Sequence, residues 1–146
     1  LMAYSHFGHD CELGDQVIVV NGTGLSGHVI VGNQAFISGL VGIHQFVRIG
    51  KNSMIGGLAG VNKDVLPFSM VEGTPARLLS INAVGLKRAN FKPNVRAAIK
   101  KAFKIISQPD LNTSQSLEKI KSEVEMYGEI NHLLDFIKNS TRGVTK

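Results

Sequence analysis

Cysteine, long apolar runs and acidic residues are all scarce in this sequence. Cys11 is the only cysteine among 146 residues, so no disulfide can form within the chain, and a reducing compartment is favoured. No apolar run in the first 66 residues is long enough to cross a membrane, and the first residues show no signal-peptide pattern. These absences predict a cytoplasmic protein with no integral membrane segment.

The excess of basic over acidic residues is confined to one part of the chain. Lysine and arginine number 16 against 11 aspartates and glutamates, which gives a net charge of +5. Residues 1–80 contain 4 basic and 5 acidic side chains, whereas residues 81–146 contain 12 and 6. Only the second part is therefore basic, and a basic surface favours an acidic partner.

What the chain does contain is a six-residue repeat, which extends from Leu1 to Leu66. The large apolar residues at every sixth position are Leu1, Phe7, Leu13, Val19, Leu25, Val31, Ile37, Ile43, Ile49, Ile55 and Val61. A smaller side chain follows four positions after each, and no insertion breaks the register. This period matches neither a helix nor an ordinary strand, and it is typical of a parallel β-helix with one short strand and one turn in each repeat.

Three hexads form a triangular coil of 18 residues, and prisms built in this way are left-handed. We expect all eleven large residues to point inward and to be buried, and the glycines that often follow them to provide backbone freedom at the corners. The predicted fold class is mainly β: a left-handed parallel β-helix with its cap over residues 1–80, then a C-terminal helical domain over residues 81–146. Because the repeat is already under way at Leu1, we expect the β-helix to be truncated at its N-terminal end.

Four helices are predicted in the second part from caps and apolar spacing. Their expected bounds are Asn82 to Ala89, Pro93 to about Gln108, Ser114 or Ser116 to the break at Gly128, and a last helix that holds Ile130 to Ile137. Asn82 is a good N-cap residue, and Pro93 suits the first turn of a helix. Residues 140–146 are expected to fray.

Histidines outside the inward positions of the repeat gather on one side of the predicted prism. On a coil of 18 residues, positions 9, 27 and 45 stack on one another, and so do positions 10 and 28. The residues that share this corner are His9, Asp10, Gly27, His28, His44 and Gln45, with His6 close by. A single surface histidine is usually solvated, but a vertical strip of three beside an aspartate favours a functional site.

The strip has the chemistry needed for acyl transfer. A neutral histidine such as His9 can act as a general base near pH 7, and a neighbouring carboxylate can orient the ring and stabilise its protonated form. Gly27 has no side chain to obstruct its N–H, which can donate to a developing oxyanion. A base beside an exposed N–H suggests transfer of an acyl group to a hydroxyl.

Several motifs, in order along the chain, resemble those of one family. They are His6-x2-His9-Asp10-Cys11, Ser26-Gly27-His28-Val29, His44-Gln45-Phe46, Asn82-x2-Gly85-Leu86-Lys87-Arg88 and Ser140-Thr141-Arg142-Gly143. Over nearly its whole length the chain is similar to the UDP-N-acetylglucosamine O-acyltransferases of lipid A biosynthesis. The resemblance implies transfer of an (R)-3-hydroxyacyl chain from acyl carrier protein to the 3-hydroxyl of UDP-N-acetylglucosamine. It also implies a homotrimer with sites between neighbouring prisms, and no metal or other cofactor.

The resemblance also assigns roles to individual residues. His9 matches the general base, Asp10 the residue beside it, Gly27 the backbone oxyanion donor, and Gly57 the position that limits the length of the acyl chain. The matches to substrate-binding residues are His6, His28, His44, Gln45, Asn82 and Arg88. The departures from the family are Val84, in place of an acid, and Ala89, in place of a second basic residue.

One face of the predicted second helix is basic, because Arg96, Lys100 and Lys104 recur every four residues. No aromatic residues interleave with them to stack bases, which disfavours nucleic acid. The opposite apolar stripe is needed to pack against other helices, which disfavours a membrane surface. A solvated face is the simple alternative, while the resemblance supplies an acidic protein, acyl carrier protein, as a partner that this face would attract.

Three other interpretations stay open at this point. A related UDP-3-O-acylglucosamine N-acyltransferase would share the hexads and a catalytic histidine, although the segment from Asn82 to Arg88 argues against it. A trimeric prism-type carbonic anhydrase would hold zinc through three histidines across a subunit interface, although His6, His9 and His28 lack the expected spacing. A purely structural prism would leave the histidine strip unexplained.

Overall fold

The computed structural model describes residues 1–146, and it begins with a left-handed parallel β-helix. Its ten strands, each of two residues, are β1 (His6–Phe7), β2 (Glu12–Leu13), β3 (Ile18–Val19), β4 (Gly24–Leu25), β5 (Ile30–Val31), β6 (Phe36–Ile37), β7 (Gly42–Ile43), β8 (Arg48–Ile49), β9 (Met54–Ile55) and β10 (Gly60–Val61). Every third strand pairs in parallel, so that β1, β4, β7 and β10 form sheet A, β2, β5 and β8 form sheet B, and β3, β6 and β9 lie in sheet C. Partner residues such as His6 and Gly24 are 18 positions apart, which confirms the predicted coil.

The inward side chains form the core of the prism, with three exceptions. From Val19 to Val61 every large residue of the repeat is buried. Leu1 is 73% exposed, Leu13 is 37% exposed and Phe7 is only half-buried. The expectation that all eleven are buried is therefore wrong for these three, because they belong to the outermost coil of the stack and are covered from one side alone.

The glycines that directly follow the large residues have a different structural role from the one predicted. The positive φ angles occur three positions after the large residue, where the side chains include Asp10, His28 and Phe46. The glycines directly after the large residues instead face the backbone of the next coil: a Cβ on Gly8 would lie 2.6 Å from the nitrogen of Gly27. These glycines permit close stacking of the coils, so the predicted role in corner conformation is wrong.

The regular coil ends where the spacing between paired residues shortens. Met54 pairs with Met70, an offset of 16 instead of 18. Met70 belongs to β11 (Ser69–Glu72), which continues sheet C and turns back through an antiparallel partner, β12 (Arg77–Ile81). The end of the segment predicted to be the prism and its cap therefore forms a hairpin that extends one face of the prism.

Four helices follow the hairpin, as predicted. They are α1 (Ala83–Arg88), α2 (Pro93–Ile106), α3 (Thr113–Glu123) and α4 (Gly128–Lys138). The cap at Asn82 and the first-turn position of Pro93 are confirmed, since the Asn82 side chain accepts from the Gly85 N–H and Pro93 is the first residue of α2. The predicted start of the third helix at Ser114 or Ser116 is wrong. Asn112 is its N-cap and exchanges hydrogen bonds with Gln115 in a capping box.

The helices build a second hydrophobic core, separate in composition from that of the prism. It contains 17 buried apolar residues, against 16 in the prism. Leu66 and Phe68, which follow the last coil, are fully buried in this second core and so connect the prism to the helices. None of the helices is both long enough and apolar enough to span a membrane.

The last residues of the chain do not fray, so that prediction is wrong. Val144 forms a parallel bridge with Asp64 of the prism, and Thr145 is 3% exposed. The buried Asp64 carboxylate accepts from the Ser140 hydroxyl at 2.7 Å and from the Arg48 guanidinium at 3.3 Å. The C-terminal segment thus returns from α4 and packs along the end of the β-helix.

Candidate functional site

The histidine strip lies on the corner that connects sheet A to sheet B. Successive coils are joined there by backbone hydrogen bonds: the N–H of His28 donates to the carbonyl of His9 at 2.9 Å, and the N–H of Phe46 donates to that of Gly27 at 3.0 Å. These bonds place positions 9, 27 and 45 in one column and positions 10, 28 and 46 in the next. The stacking predicted from the 18-residue coil is confirmed.

His9, Asp10 and His28 form a compact group on this corner. The Asp10 carboxylate lies 2.9 Å from Nδ1 of His9 and 3.7 Å from Nε2 of His28, and the two imidazole rings meet edge to face at 4.9 Å. The hydrogen bond to His9, with a smaller contribution from the charge of His28, lowers the pKa of Asp10 below its usual value. Asp10 is therefore a carboxylate at neutral pH.

That carboxylate determines the hydrogen-bonding roles of the His9 ring. An ionised carboxylate only accepts hydrogen bonds, so Nδ1 of His9 carries the proton and Nε2 keeps a free lone pair. Nε2 is thus the basic atom of the ring. The ligand atoms of His9, Asp10 and His28 also lie within 4.8 Å of one another, so these three side chains could together hold a cation.

Gly27 lies directly beside that basic nitrogen. A Cβ on Gly27 would be 2.8 Å from Nε2 of His9. The Gly27 N–H donates to no group of the protein. The turn itself does not require glycine, because Asn21 and Asn33 occupy the same position in other turns. Glycine is needed here because the His9 ring occupies the space of a side chain.

Phe46 belongs to the same group, and the sequence reasoning missed it. Its ring stacks on His28 with centroids 4.7 Å apart and planes within 6° of each other, and it remains 53% exposed. The signal was present in the sequence, since positions 10, 28 and 46 differ by 18. The search for polar residues on this corner did not extend to an aromatic residue, although Phe46 is 18 positions after His28.

His6 and His44 line a cleft on sheet A rather than the cluster around His9. The cleft has a volume of about 720 Å³. Its floor is nearly free of side chains, because a Cβ on Gly24 or Gly42 would meet no atom within 4 Å and Gly60 follows them along the sheet. Gln45 is exposed beside His44 and makes no hydrogen bond to another residue through its side chain.

Asn82 and Arg88 lie on another side of the prism. They line a cleft of about 600 Å³ over sheet C, together with Val84 and Ala89. Sheet C is opposite the corner that carries His9, so a single chain does not bring these residues together with the histidine strip. The Asn82 side chain is buried, where it caps α1 and donates to the carbonyl of Asn52 at 3.0 Å.

Gly57 lies at a third location, the corner that connects sheet C to sheet A. It is exposed, and a Cβ there would make only an ordinary contact of 3.6 Å with the carbonyl of Gly39. The exposed side chains of Leu40 and Leu58 lie on the same corner. A larger residue at position 57 would therefore extend into the space outside the prism without disturbing its core.

Arg142 is a second residue that sequence reasoning did not place near the site. Its Nη2 lies 3.1 Å from Nδ1 of His44 and 3.1 Å from the carbonyl oxygen of Asn62. Nothing in the repeat could have predicted this contact, because Arg142 is 98 positions from His44 and outside the periodic part of the chain.

Comparison with known proteins gives a consistent result. The family described as UDP-N-acetylglucosamine O-acyltransferase, domain 2, matches residues 64–145. Relatives named acyl-(acyl-carrier-protein)–UDP-N-acetylglucosamine O-acyltransferase are 48% identical in Thermodesulfovibrio yellowstonii, over 146 residues, and 44% identical in Syntrophobacter fumaroxidans, over 147 residues. Each match covers all of this chain and 57% of the relative.

Solved structures show the same likeness. A UDP-N-acetylglucosamine acyltransferase from Bacteroides fragilis matches with a TM-score of 0.97 and 38% identity, over 100% of this chain and 57% of that protein. One from Francisella novicida matches with a TM-score of 0.93 and 37% identity, over 99% and 53%. The chain therefore spans a little over half the length of the proteins that it matches. These matches favour neither the N-acyltransferase nor the carbonic anhydrase alternative.

Proposed function

The chain belongs to the UDP-N-acetylglucosamine O-acyltransferase family, and on that premise we propose that the complete protein performs the first step of lipid A biosynthesis. In this proposal an (R)-3-hydroxyacyl chain is transferred from acyl carrier protein to the 3-hydroxyl of UDP-N-acetylglucosamine. The observation that carries the proposal is the position of His9 Nε2 beside Gly27, whose N–H is unpaired. A base and an oxyanion donor are thereby adjacent on one corner of the prism.

The chemistry follows from these two groups. Nε2 of His9 accepts the proton of the sugar hydroxyl as its oxygen attacks the thioester carbonyl of the donor. The Gly27 N–H donates to the oxyanion of the tetrahedral intermediate. When that intermediate collapses, the C–S bond breaks and the proton held on Nε2 passes to the departing thiol sulfur. Asp10 holds Nδ1–H throughout and stabilises the imidazolium that forms in between.

The proposed active form is a homotrimer with sites between neighbouring prisms. The arrangement of the chain supports this, since Asn82 and Arg88 lie over sheet C while His9 lies on the opposite corner. A second copy could bring its sheet C cleft to the His9 corner of the first and complete a site that one chain leaves divided. A monomer at micromolar concentration in light scattering would contradict this assembly.

Three further elements of the proposal rest on the family resemblance. We propose a cytoplasmic location, no requirement for a metal or other cofactor, and a limit on the length of the acyl chain at Gly57. The exposed position of Gly57 on the outer corner is compatible with contact to a long chain. Gly57→Met should shorten the acyl chain that is preferred in a series of acyl carrier protein donors, and an unchanged preference would contradict this role.

The experiment for the proposed function is an acyl-transfer assay on the protein at its natural length, with acyl carrier protein and UDP-N-acetylglucosamine as substrates. His9→Ala should lower kcat by about 10²–10⁴-fold, the contribution expected of a general base, while circular dichroism shows an intact fold. His132→Ala is the matched control, because it removes a histidine on α4 and should leave kcat unchanged. Near-normal turnover in His9→Ala would reject the assignment, and absence of transfer by the parent protein would reject the function.

A further inference from the structure

The C-terminal segment reaches the cleft on sheet A through Arg142. The Nε and Nη2 atoms of this guanidinium both donate to the carbonyl of Asn62, at 3.2 and 3.1 Å. Nη2 also lies 3.1 Å from Nδ1 of His44. His44 and Asn62 both line the cleft of about 720 Å³, so the arginine attaches the tail of the chain to the wall of that cleft.

The backbone on the far side of Arg142 is fixed to the prism. The N–H of Asp64 donates to the carbonyl of Gly143 at 3.0 Å, and the N–H of Thr145 donates to the carbonyl of Asp64 at 2.7 Å. Ser140, on the near side, donates to the Asp64 carboxylate. Because the chain is held in place on both sides of Arg142, its guanidinium has a defined position against His44.

The contact determines which nitrogen of His44 carries a proton. A guanidinium has only N–H donors and no acceptor, so the nitrogen that it meets, Nδ1, must be the acceptor. In the neutral ring the proton is then on Nε2, and this N–H is the only hydrogen-bond donor that the ring can offer to a ligand. A free neutral imidazole would exchange between its two tautomers and would carry its proton on Nε2 for only part of the time.

His9 and His44 therefore carry their ring protons on opposite nitrogens. At His9 the Asp10 carboxylate accepts from Nδ1, which leaves Nε2 as a base. At His44 the Arg142 guanidinium donates to Nδ1, which leaves Nε2–H as a donor. The same ring is thus prepared to take a proton at one position and to give a hydrogen bond at the other.

We propose that Arg142 is a positioning residue, which holds His44 as the Nε2–H tautomer so that it donates a hydrogen bond to an oxygen of the sugar nucleotide. This inference rests on the proposed function, since that function supplies the ligand. It assigns a role in the site to the C-terminal segment, and it explains why a surface arginine directs all its side-chain hydrogen bonds to Asn62 and His44.

The first test observes the tautomer directly. In protein with ¹⁵N-labelled histidine, the His44 signals are identified by their loss in His44→Gln. We expect the Nε2–H form in the parent protein and a mixture of tautomers in Arg142→Met. Lys63→Met removes a nearby cation that makes no side-chain contact with His44, and it should leave the His44 spectrum unchanged. An unchanged tautomer in Arg142→Met would overturn the proposal.

The second test separates action through His44 from direct contact with the anionic substrate. Arg142→Met should raise KM for UDP-N-acetylglucosamine, and its calorimetric Kd, by about tenfold, the effect of one hydrogen bond, with kcat nearly constant. In a His44→Gln background the same change should add nothing, because Arg142 acts only through the ring. Additive losses would overturn the proposal in favour of direct binding by Arg142.

The conservative variant Arg142→Lys and the activity of the parent protein complete the test. Arg142→Lys retains a cationic donor, so it should recover part of both the tautomer preference and the affinity, and it replaces Arg142→Met if that variant fails to fold. Recovery of affinity without recovery of the tautomer would overturn the proposal. If the parent protein transfers no acyl group, the proposed function fails, while the ring spectrum and the calorimetric affinity still decide the role of Arg142.

Discussion

The prism and the helices of this chain have cores of nearly equal size that are encoded in different ways. The core of the prism contains 16 buried apolar residues, nearly all of which follow the six-residue period, and the core built by the helices contains 17 with no common period. The prism is close to neutral, whereas residues 81–146 carry a net charge of +6. A periodic sequence specifies the position of every side chain relative to its neighbours in space. An aperiodic sequence specifies only which segments form helices or strands, and not how these pack together.

The largest effect is expected where the two regions meet. The Asp64 carboxylate is 1% exposed and joins Arg48 of β8 to Ser140 of the tail. Asp64→Ala leaves the Arg48 charge without its partner and should lower the free energy of unfolding by about 3–5 kcal/mol, measured in urea at equal protein concentration. Glu118→Ala, which breaks an exposed pair with Lys121 on α3, is the control and should cause no measurable loss. Equal losses in both variants would contradict the expected contribution of the buried pair to stability.

A slightly smaller effect is expected within the prism, and it concerns turnover instead of stability. Gly27→Ala places a methyl group 2.8 Å from Nε2 of His9, so the ring must move. Under the proposed role of His9 as the general base, a displacement of this order should lower kcat by about 10²-fold, which the acyl-transfer assay would measure. Gly39→Ala is the matched control, since position 39 occupies the same place in another turn and a Cβ there meets only the carbonyl of Asn21, at 3.3 Å, and the side chain of Val20. The same kcat in both variants would contradict the proposed contact between Gly27 and His9.

The sequence could predict most of the prism and its strip, for a physical reason. Each coil repeats the one below it through backbone hydrogen bonds, so a spacing of 18 converts position in the chain into position in space. The spacing alone therefore places His9 beside Gly27 and His28. Where the prediction depended on the conformation of a single residue, as for the glycines at the corners, it was wrong, because Asp10 and His28 tolerate the left-handed region that glycine was expected to occupy.

The contacts made by the tail could not be predicted in this way. Arg142 reaches His44, and Val144 pairs with Asp64, across a separation of about 80 to 100 residues with no repeat to relate them. Such contacts depend on how α4 packs against the end of the prism. The domain boundary at residue 80 stays a prediction, because the hairpin β11–β12 that contains this residue belongs to sheet C. The roles of Asn82 and Arg88 also stay predictions, because their contacts with substrate would need a second copy of the chain.

The charge difference between the two regions leads to a third, smaller effect. Lys100 and Lys104 are exposed on α2 and make no ion pair, whereas Arg96 donates to the carbonyl of Phe91 at 3.2 Å. Reversal of Lys100 and Lys104 to glutamate therefore changes charge without breaking that contact. If this face steers acyl carrier protein, KM for the acyl donor should rise about tenfold and its salt dependence should flatten, while KM for UDP-N-acetylglucosamine stays constant.

The control for this pair is reversal of two lysines elsewhere in the helical region. Lys121 and Lys138 lie on α3 and α4, and their double reversal changes the net charge by the same amount. It should leave KM for the acyl donor nearly unchanged. If both double variants raise KM equally, the net charge of the helices attracts the partner and no particular face is its docking site.

The smallest effect distinguishes the acid sensitivity of the helical core from that of the prism. His132 on α4 lies against Phe68, with ring centroids 6.2 Å apart. Partial burial, followed by the charge of Lys51, lowers the pKa of His132 below its ordinary value of 6.5. The unfolded chain therefore binds a proton at this position more readily than the folded chain does. The stability that neutral His132 contributes is fully present above about pH 6.5 and decreases as the pH falls through that value.

The free energy of unfolding measured at pH 7.5 and at pH 5.5 tests this. The decrease between the two should be smaller in His132→Gln than in the parent protein, because glutamine cannot take up the proton. Between pH 7.5 and pH 8.5, where the histidine is neutral in both states, parent and variant should change by the same amount. The Asp10 carboxylate has its pKa shifted in the same direction, but it would be protonated only at much lower pH. A loss of stability between pH 7.5 and 5.5 that disappears in His132→Gln would thus assign the first step of acid sensitivity to the helices. An identical loss in the variant would place it in other groups.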